Sequence, residues 1–158
     1  ARAAVRFDRE RPEVHRLLLD LSAKLADEAI AQDALRALCE LDQHDALLHV
    51  AYLSLLAKNK DWAAALQAGE TALFIAPENA AVHLHLGQAY VETGAYTRGL
   101  VELDRALTLG HAQPGIVRLA RARAFLRQRN REAALREVKL ALLSDPSLRQ
   151  RGRALLAP

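Results

Sequence analysis

The chain is 158 residues long, 51% hydrophobic and 26% charged, with a formal net charge of +3. Its 32 alanines and 30 leucines outnumber 15 Val, Ile and Thr combined, which argues against an all-β or α/β protein, because Ala and Leu favour helices and β-branched residues favour strands. The single cysteine, Cys39, rules out an internal disulfide and a thiolate zinc cluster, and no apolar run reaches the ~18 residues of a membrane span.

In chain order, residues 1–11 are rich in Arg and lack the apolar segment of a secretory signal. We read them as the tail of a preceding helix or as a frayed end. Met is absent altogether, so Ala1 reads as the start of an excised or processed segment. Apolar periodicity then predicts helices over 12–26, 28–42, 45–58, 61–76, 79–93, 96–109, 114–128 and 131–144. Turn residues separate them at Asn59-Lys60-Asp61, Pro77-Glu78-Asn79, Thr93-Gly94-Ala95, Gly110 to Gly115 and Gln128 to Asn130. Asp145 is placed to cap a last helix over about 147–156, with Pro146 in its first turn.

The elements repeat. Pro77 in LFIAPEN and Pro146 in LLSDPS end helical stretches in the same phase. Counting from them gives 34-residue units at 46–79, 80–113 and 115–148, with one extra residue at Pro114, and a degenerate unit at 12–45. In the unit from Ala80 the recurring residues are Leu86, Gly87, Tyr90, Gly94, Tyr96, Gly99 and Ala106. The unit from Ala46 offers Asp61, Trp62, Ala65, Ala72 and Pro77, and the unit from Gly115 offers Ala122, Phe125, Ala134, Ala141 and Pro146. The first unit offers Ala31 and its apolar phase.

This pattern resembles the tetratricopeptide repeat, a helix–turn–helix unit of 34 residues. Leu53 departs from it where a Gly is usual. The resemblance implies an all-α, right-handed superhelical solenoid of antiparallel helix pairs, forming a single domain over 1–158 with a C-terminal capping helix. Small residues at fixed positions let two helices approach closely while larger ones fill ridges and grooves. Each pair leaves an apolar face that only the next pair covers.

Little catalytic material is present. His15, His49 and His83 are spaced 34 residues apart at the fourth position of successive units, and Arg118 continues the series. Equivalent positions of stacked units lie roughly a helix diameter, ~10 Å, apart, too far for one zinc ion with ~2.0–2.1 Å bonds. The histidines therefore read as amphipathic packing residues, and His83 and His85 face different sides of their helix. Cys39 in ALCEL reads as a buried filler. No phosphate-binding glycine loop and no nucleophile or metalloprotease motif occurs. Neither an enzyme nor a cofactor is expected.

The charge is polarised. From Pro114 onward eleven Lys and Arg face three acids, giving +8, whereas residues 1–113 carry −5. The basic half reads as a solvated surface, as a face for an acidic protein partner, or as a nucleic-acid footprint. The last is disfavoured, because Phe125 is the sole aromatic in that half to stack on bases. Arg121 occupies a usually apolar position, so its charge must escape to water or find a carboxylate.

The resemblance also implies a partner site. In tetratricopeptide arrays the first helices line a concave groove that holds protein or peptide segments. Here that groove would comprise Leu47, Val50, Ser54 and Lys58, then Ala81, Leu84, Gln88 and Val91, then Leu119, Arg123, Leu126 and Arg127. Val50 and Ser54 do not supply the Lys and Asn pattern of carboxylate-binding members. The stretch ALCELDQHD, from Ala37 to Asp45, resembles class II type III secretion chaperones, which are bacterial and cytoplasmic. The expectation is a non-catalytic binding module, with such a chaperone or adaptor as its narrower form. The alternative is a scaffold slice of a longer or self-assembling solenoid, and oligomerisation stays open.

Overall fold

The computed structural model describes residues 11–157. The reading of the N-terminal segment as a helix tail or frayed end falls on residues 1–10, outside the described residues. Among the described residues the order is α1 (Pro12–Leu25), α2 (Glu28–Leu41), α3 (Ala46–Lys58), α4 (Trp62–Ile75), α5 (Ala80–Glu92), α6 (Tyr96–Thr108), α7 (Pro114–Arg127) and α8 (Arg131–Ser144). A 3₁₀ turn at Pro146–Leu148 then leads into α9 (Arg149–Leu156). The first eight helices end within one residue of the positions predicted from periodicity. The last begins later, because Pro146 to Leu148 wind more tightly.

Capping explains where the helices begin. The side chain of Asp27 accepts from Ala29 and Ile30 N–H, and that of Asp45 from Leu47 and Leu48 N–H. Asp61, Asn79 and Asn130 do the same for α4, α5 and α8. Each satisfies backbone donors that a helix N-terminus leaves without intrahelical partners.

The turn within each helix pair is built one way four times. Ala26, Lys60, Gly94 and Arg129 all take left-handed φ, at 53°, 60°, 93° and 61°. The following residue then donates its N–H five residues back: Asp27 to Ser22, Asp61 to Leu56, Ala95 to Tyr90 and Asn130 to Phe125, at 2.8–3.0 Å. This is the Schellman closure, in which a left-handed residue turns the chain and satisfies a terminal carbonyl. Of the four, Gly94 alone adopts that φ without a Cβ penalty.

Successive helices pack antiparallel, and α3 with α5 and α5 with α7 also pack along the array. The alanines singled out by the repeat, Ala65, Ala72, Ala106, Ala122, Ala134 and Ala141, are all fully buried. At the α5–α6 crossing the backbones almost touch: a Cβ on Gly99 would stand 2.9 Å from the Gly87 carbonyl oxygen. In the preceding unit Leu53 stands where Gly87 does and is fully buried. Gly69 makes room nearby, since a Cβ there would meet Leu86 Cδ1 at 2.8 Å and Leu53 Cδ1 at 3.5 Å. At the C-terminal end Leu148 is buried and Gly152 lies against Val138, so α9 covers α8.

Two substitutions test this construction by chemical denaturation. Gly99→Ala should destabilise the fold by about 1–3 kcal/mol despite alanine's better helix propensity, because a Cβ there would meet both the Val91 side chain and the Gly87 carbonyl. Lys60→Gly should stabilise it by about 0.5–1 kcal/mol, the left-handed penalty exceeding the added unfolded-chain entropy.

Candidate protein-binding groove

The last turns of α5, the first and middle turns of α7, the start of α4, and α9 enclose a cavity of about 550 Å³. Its apolar lining includes Val91, Ile116, Leu119, Ala120 and Leu155, with Trp62. Gln88, Glu92, Arg123 and Arg151 supply the polar groups. The apolar side chains arrive at one surface because α5 and α7 stand side by side, with their core residues Leu84 and Val117 sharing one cluster beneath.

The polar side is organised by Glu92. Its carboxylate lies 2.6 Å from Arg123 and 3.8 Å from Arg127, with a side chain only 14% exposed. Both arginines stay half-exposed, so one buried carboxylate holds two cations at the edge of the cavity. Arg151 adds a third positive group and makes no ion pair among the described residues.

The residues expected in the groove divide. Gln88, Val91, Leu119 and Arg123 line the cavity, and Arg127 joins them through Glu92. Leu84 is corrected: it is 4% exposed and packs with Leu103, Ala106 and Val117, because α7 covers that face of α5. Leu126 packs into the C-terminal core with Val138 rather than lining the cavity. Ala81 is half-buried outside it. In the preceding unit Val50 packs on the core around Leu53, Ser54 is half-buried, and Lys58 pairs with Glu28 at 2.5 Å. Leu47 is 80% exposed and away from the cavity. Trp62, Ala120, Arg151, Ala154 and Leu155 line it without having been expected there. No local signal points to α9 contributing, since its approach depends on how the chain doubles back after Pro146.

The fourth-position series has a shared geometry. His83 Nδ1 lies 2.6 Å from Glu102 Oε2 and its Nε2 lies 2.9 Å from the Pro77 carbonyl. Arg118 lies 3.5 Å from Glu137. Arg121 finds the carboxylates its position demands, Asp104 at 2.6 Å and Glu137 at 3.3 Å. Burial pushes the His85 pKa below its ordinary value, opposed by a hydrogen bond with Gln88. Burial, with the charges of Asp45 and Glu40, raises the Cys39 pKa to about 11, so its thiolate is scarce near neutrality.

Residues 56–114 match the sequence profile of the tetratricopeptide repeat. Within those residues the chain carries tetratricopeptide repeats. No curated protein sequence matches it. Among the solved structures of similar fold, three illustrate the likeness. One is MamA from Desulfovibrio magneticus RS-1 (TM-score 0.74, 19% identity, 90% of this chain and 80% of that one). Another is TTC0263, a thermophilic tetratricopeptide-repeat protein of Thermus thermophilus (0.71, 21%, 98% and 86%). The third is the APC/C hetero-tetramer Cut9–Hcn1 (0.76, 21%, 93% and 29%). At these identities the likeness concerns the fold.

Glu137 joins Arg118 and Arg121 while only 10% of its side chain is exposed. Replacing it by Gln should cost about 1–3 kcal/mol in urea unfolding, because Arg118 loses its counter-charge while Arg121 keeps Asp104.

Proposed function

We propose that this tetratricopeptide array is a non-catalytic protein-interaction module that holds a segment of a partner protein across the cavity between α5, α7 and α9. The observation that carries this reading is the pairing of an apolar floor with an arginine edge. Val91, Ile116, Leu119 and Leu155 offer apolar contact, and Arg123, Arg127 and Arg151 offset the single carboxylate of Glu92. A segment with apolar residues on one side and acids on the other complements both features. The basic half of the chain extends the same sign of charge beyond the cavity. No helix among the described residues is long and apolar enough to cross a membrane.

A cytoplasmic secretion chaperone or adaptor is the narrower form of the proposal. Support for it is the nine-residue resemblance from Ala37 to Asp45. Two of those residues also have local work: Asp42 accepts from His44 N–H, and Asp45 caps α3.

One observation favours a scaffold as a second reading. Leu17, Leu21 and Leu25 of α1 are 59%, 41% and 68% exposed along one helix. A neighbouring repeat or a second copy would cover that face.

The experiment is affinity capture from the native cell, followed by mapping of the bound segment and titration of that segment as a synthetic peptide. Leu119→Glu and Arg123→Glu should each weaken the peptide by about tenfold or more, with circular dichroism unchanged. Undiminished binding in both variants would place the partner elsewhere.

A further inference from the structure

The first helix carries an uncovered apolar stripe. Among the described residues α1 packs chiefly on α2, which turns Ser22 inward and leaves Leu17, Leu18, Leu21 and Leu25 exposed. At ~100° per residue these leucines fall on one face about 100° wide, the width of a packing surface. The stripe shares no residue with the partner groove.

Its charged border is complementary to itself. Glu13, Arg16, Asp20 and Lys24 follow one flank of the stripe, all exposed, and their signs alternate along the helix. None of them makes an ion pair among the described residues. A two-fold axis through the stripe sets that flank against its own reversed copy. When Leu17 is level with Leu21 of a second copy, Leu21 is level with Leu17 in return. Glu13 then stands one residue from level with Lys24 of the second copy, and Arg16 two residues from level with Asp20, each contact occurring twice. At ~1.5 Å of rise per residue, both offsets are within reach of these side chains. The outward face of α8 lacks this property. Leu140 and Leu143 are exposed there, but Arg136 already pairs with Glu132, and Lys139 stands beside them with no carboxylate left for it. Pairing α8 with itself would set like charges together, and pairing it with α1 would leave Arg16 and Lys24 facing cations.

We propose that a second copy of this chain covers the stripe through an antiparallel α1–α1 pair, with the leucines at its centre and Glu13–Lys24 and Arg16–Asp20 contacts along its border. The proposal rests on the scaffold reading for the uncovered face and adds to it the occupant, the direction and the register. One helix face is smaller than a standard interface, so the dimer is reversible and forms as concentration rises. None of the groove's lining residues is used, so the dimer carries two partner grooves.

The test is the molecular mass of the full chain by sedimentation velocity over a roughly hundredfold range of concentration. The wild type should pass from monomer to dimer, and Leu21→Glu should stay monomeric with unchanged circular dichroism. Glu13→Lys and Lys24→Glu should each weaken the dimer about tenfold or more, because each sets like charges together at both symmetric contacts. Mixing these two variants should restore the dimer, since opposite signs meet again at both contacts; misfolded variants would show no such rescue. A mixture that dimerises no better than its components, or a charge variant that dimerises as well as the wild type, would overturn the proposal. Masses growing beyond the dimer would overturn it in favour of head-to-tail assembly. Dimerisation undiminished in Leu21→Glu would overturn the α1 pair and leave a scaffold built through another face. A wild type that stays monomeric throughout, its leucines left to other residues of the chain or to an outside partner, would overturn both the pair and the self-assembling scaffold.

Discussion

Two helices that come close enough for backbone to meet backbone are the constraint on which this array rests. At the α5–α6 crossing the Gly87 carbonyl stands where a Gly99 Cβ would intrude. Fully buried alanines do the same work with a single methyl group at Ala65, Ala106, Ala134 and their equivalents. Interiors pack at the density of organic crystals, so a close crossing admits no extra methylene without displacement. The Leu53 departure shows how the constraint is met when one small residue is lost. Another small residue, Gly69, appears where Leu53 and Leu86 need room.

Close crossing fixes the helix axes, and the axes decide which side chains share a surface. Because α5 and α7 lie side by side, Leu84 becomes core while Val91 and Leu119 reach the groove. The same geometry brings position 4 against the residue 19 further on, which is why His83 meets Glu102 and Arg118 meets Glu137. Buried ion pairs add little net stability, yet losing one partner is expensive, so they hold the register of α7 and α8.

The turns show a different balance. Four left-handed residues at equivalent places mean that the Schellman closure is imposed by the array and not by local preference. Ala26, Lys60 and Arg129 accept a conformation that, of the four, Gly94 alone takes without strain. The packing of the two helices that each turn connects over-determines its geometry, which is the condition under which strained residues persist.

Much of the architecture was legible in the chain. Ala and Leu abundance, a 34-residue period and turn residues between the helices are local or periodic signals, and they determined helix type, helix ends and the repeat. Gln88, Val91, Leu119 and Arg123 line one cavity, since all four lie on the helices the repeat aligns. The turns at Lys60, Gly94 and Arg129 were visible in their polar or glycine residues, whereas the one at Ala26 was not signalled by the pattern. What the tertiary structure alone decided was the covering of Leu84 by α7, the entry of Trp62, Arg151 and Leu155 into the groove, and the carboxylates that Arg121 finds. Those outcomes depend on contacts between residues far apart in sequence, and their distances follow from crossing angles and the path after Pro146. A single helix pattern records which of its own faces is apolar. Which neighbour covers that face is set only when the helices pack.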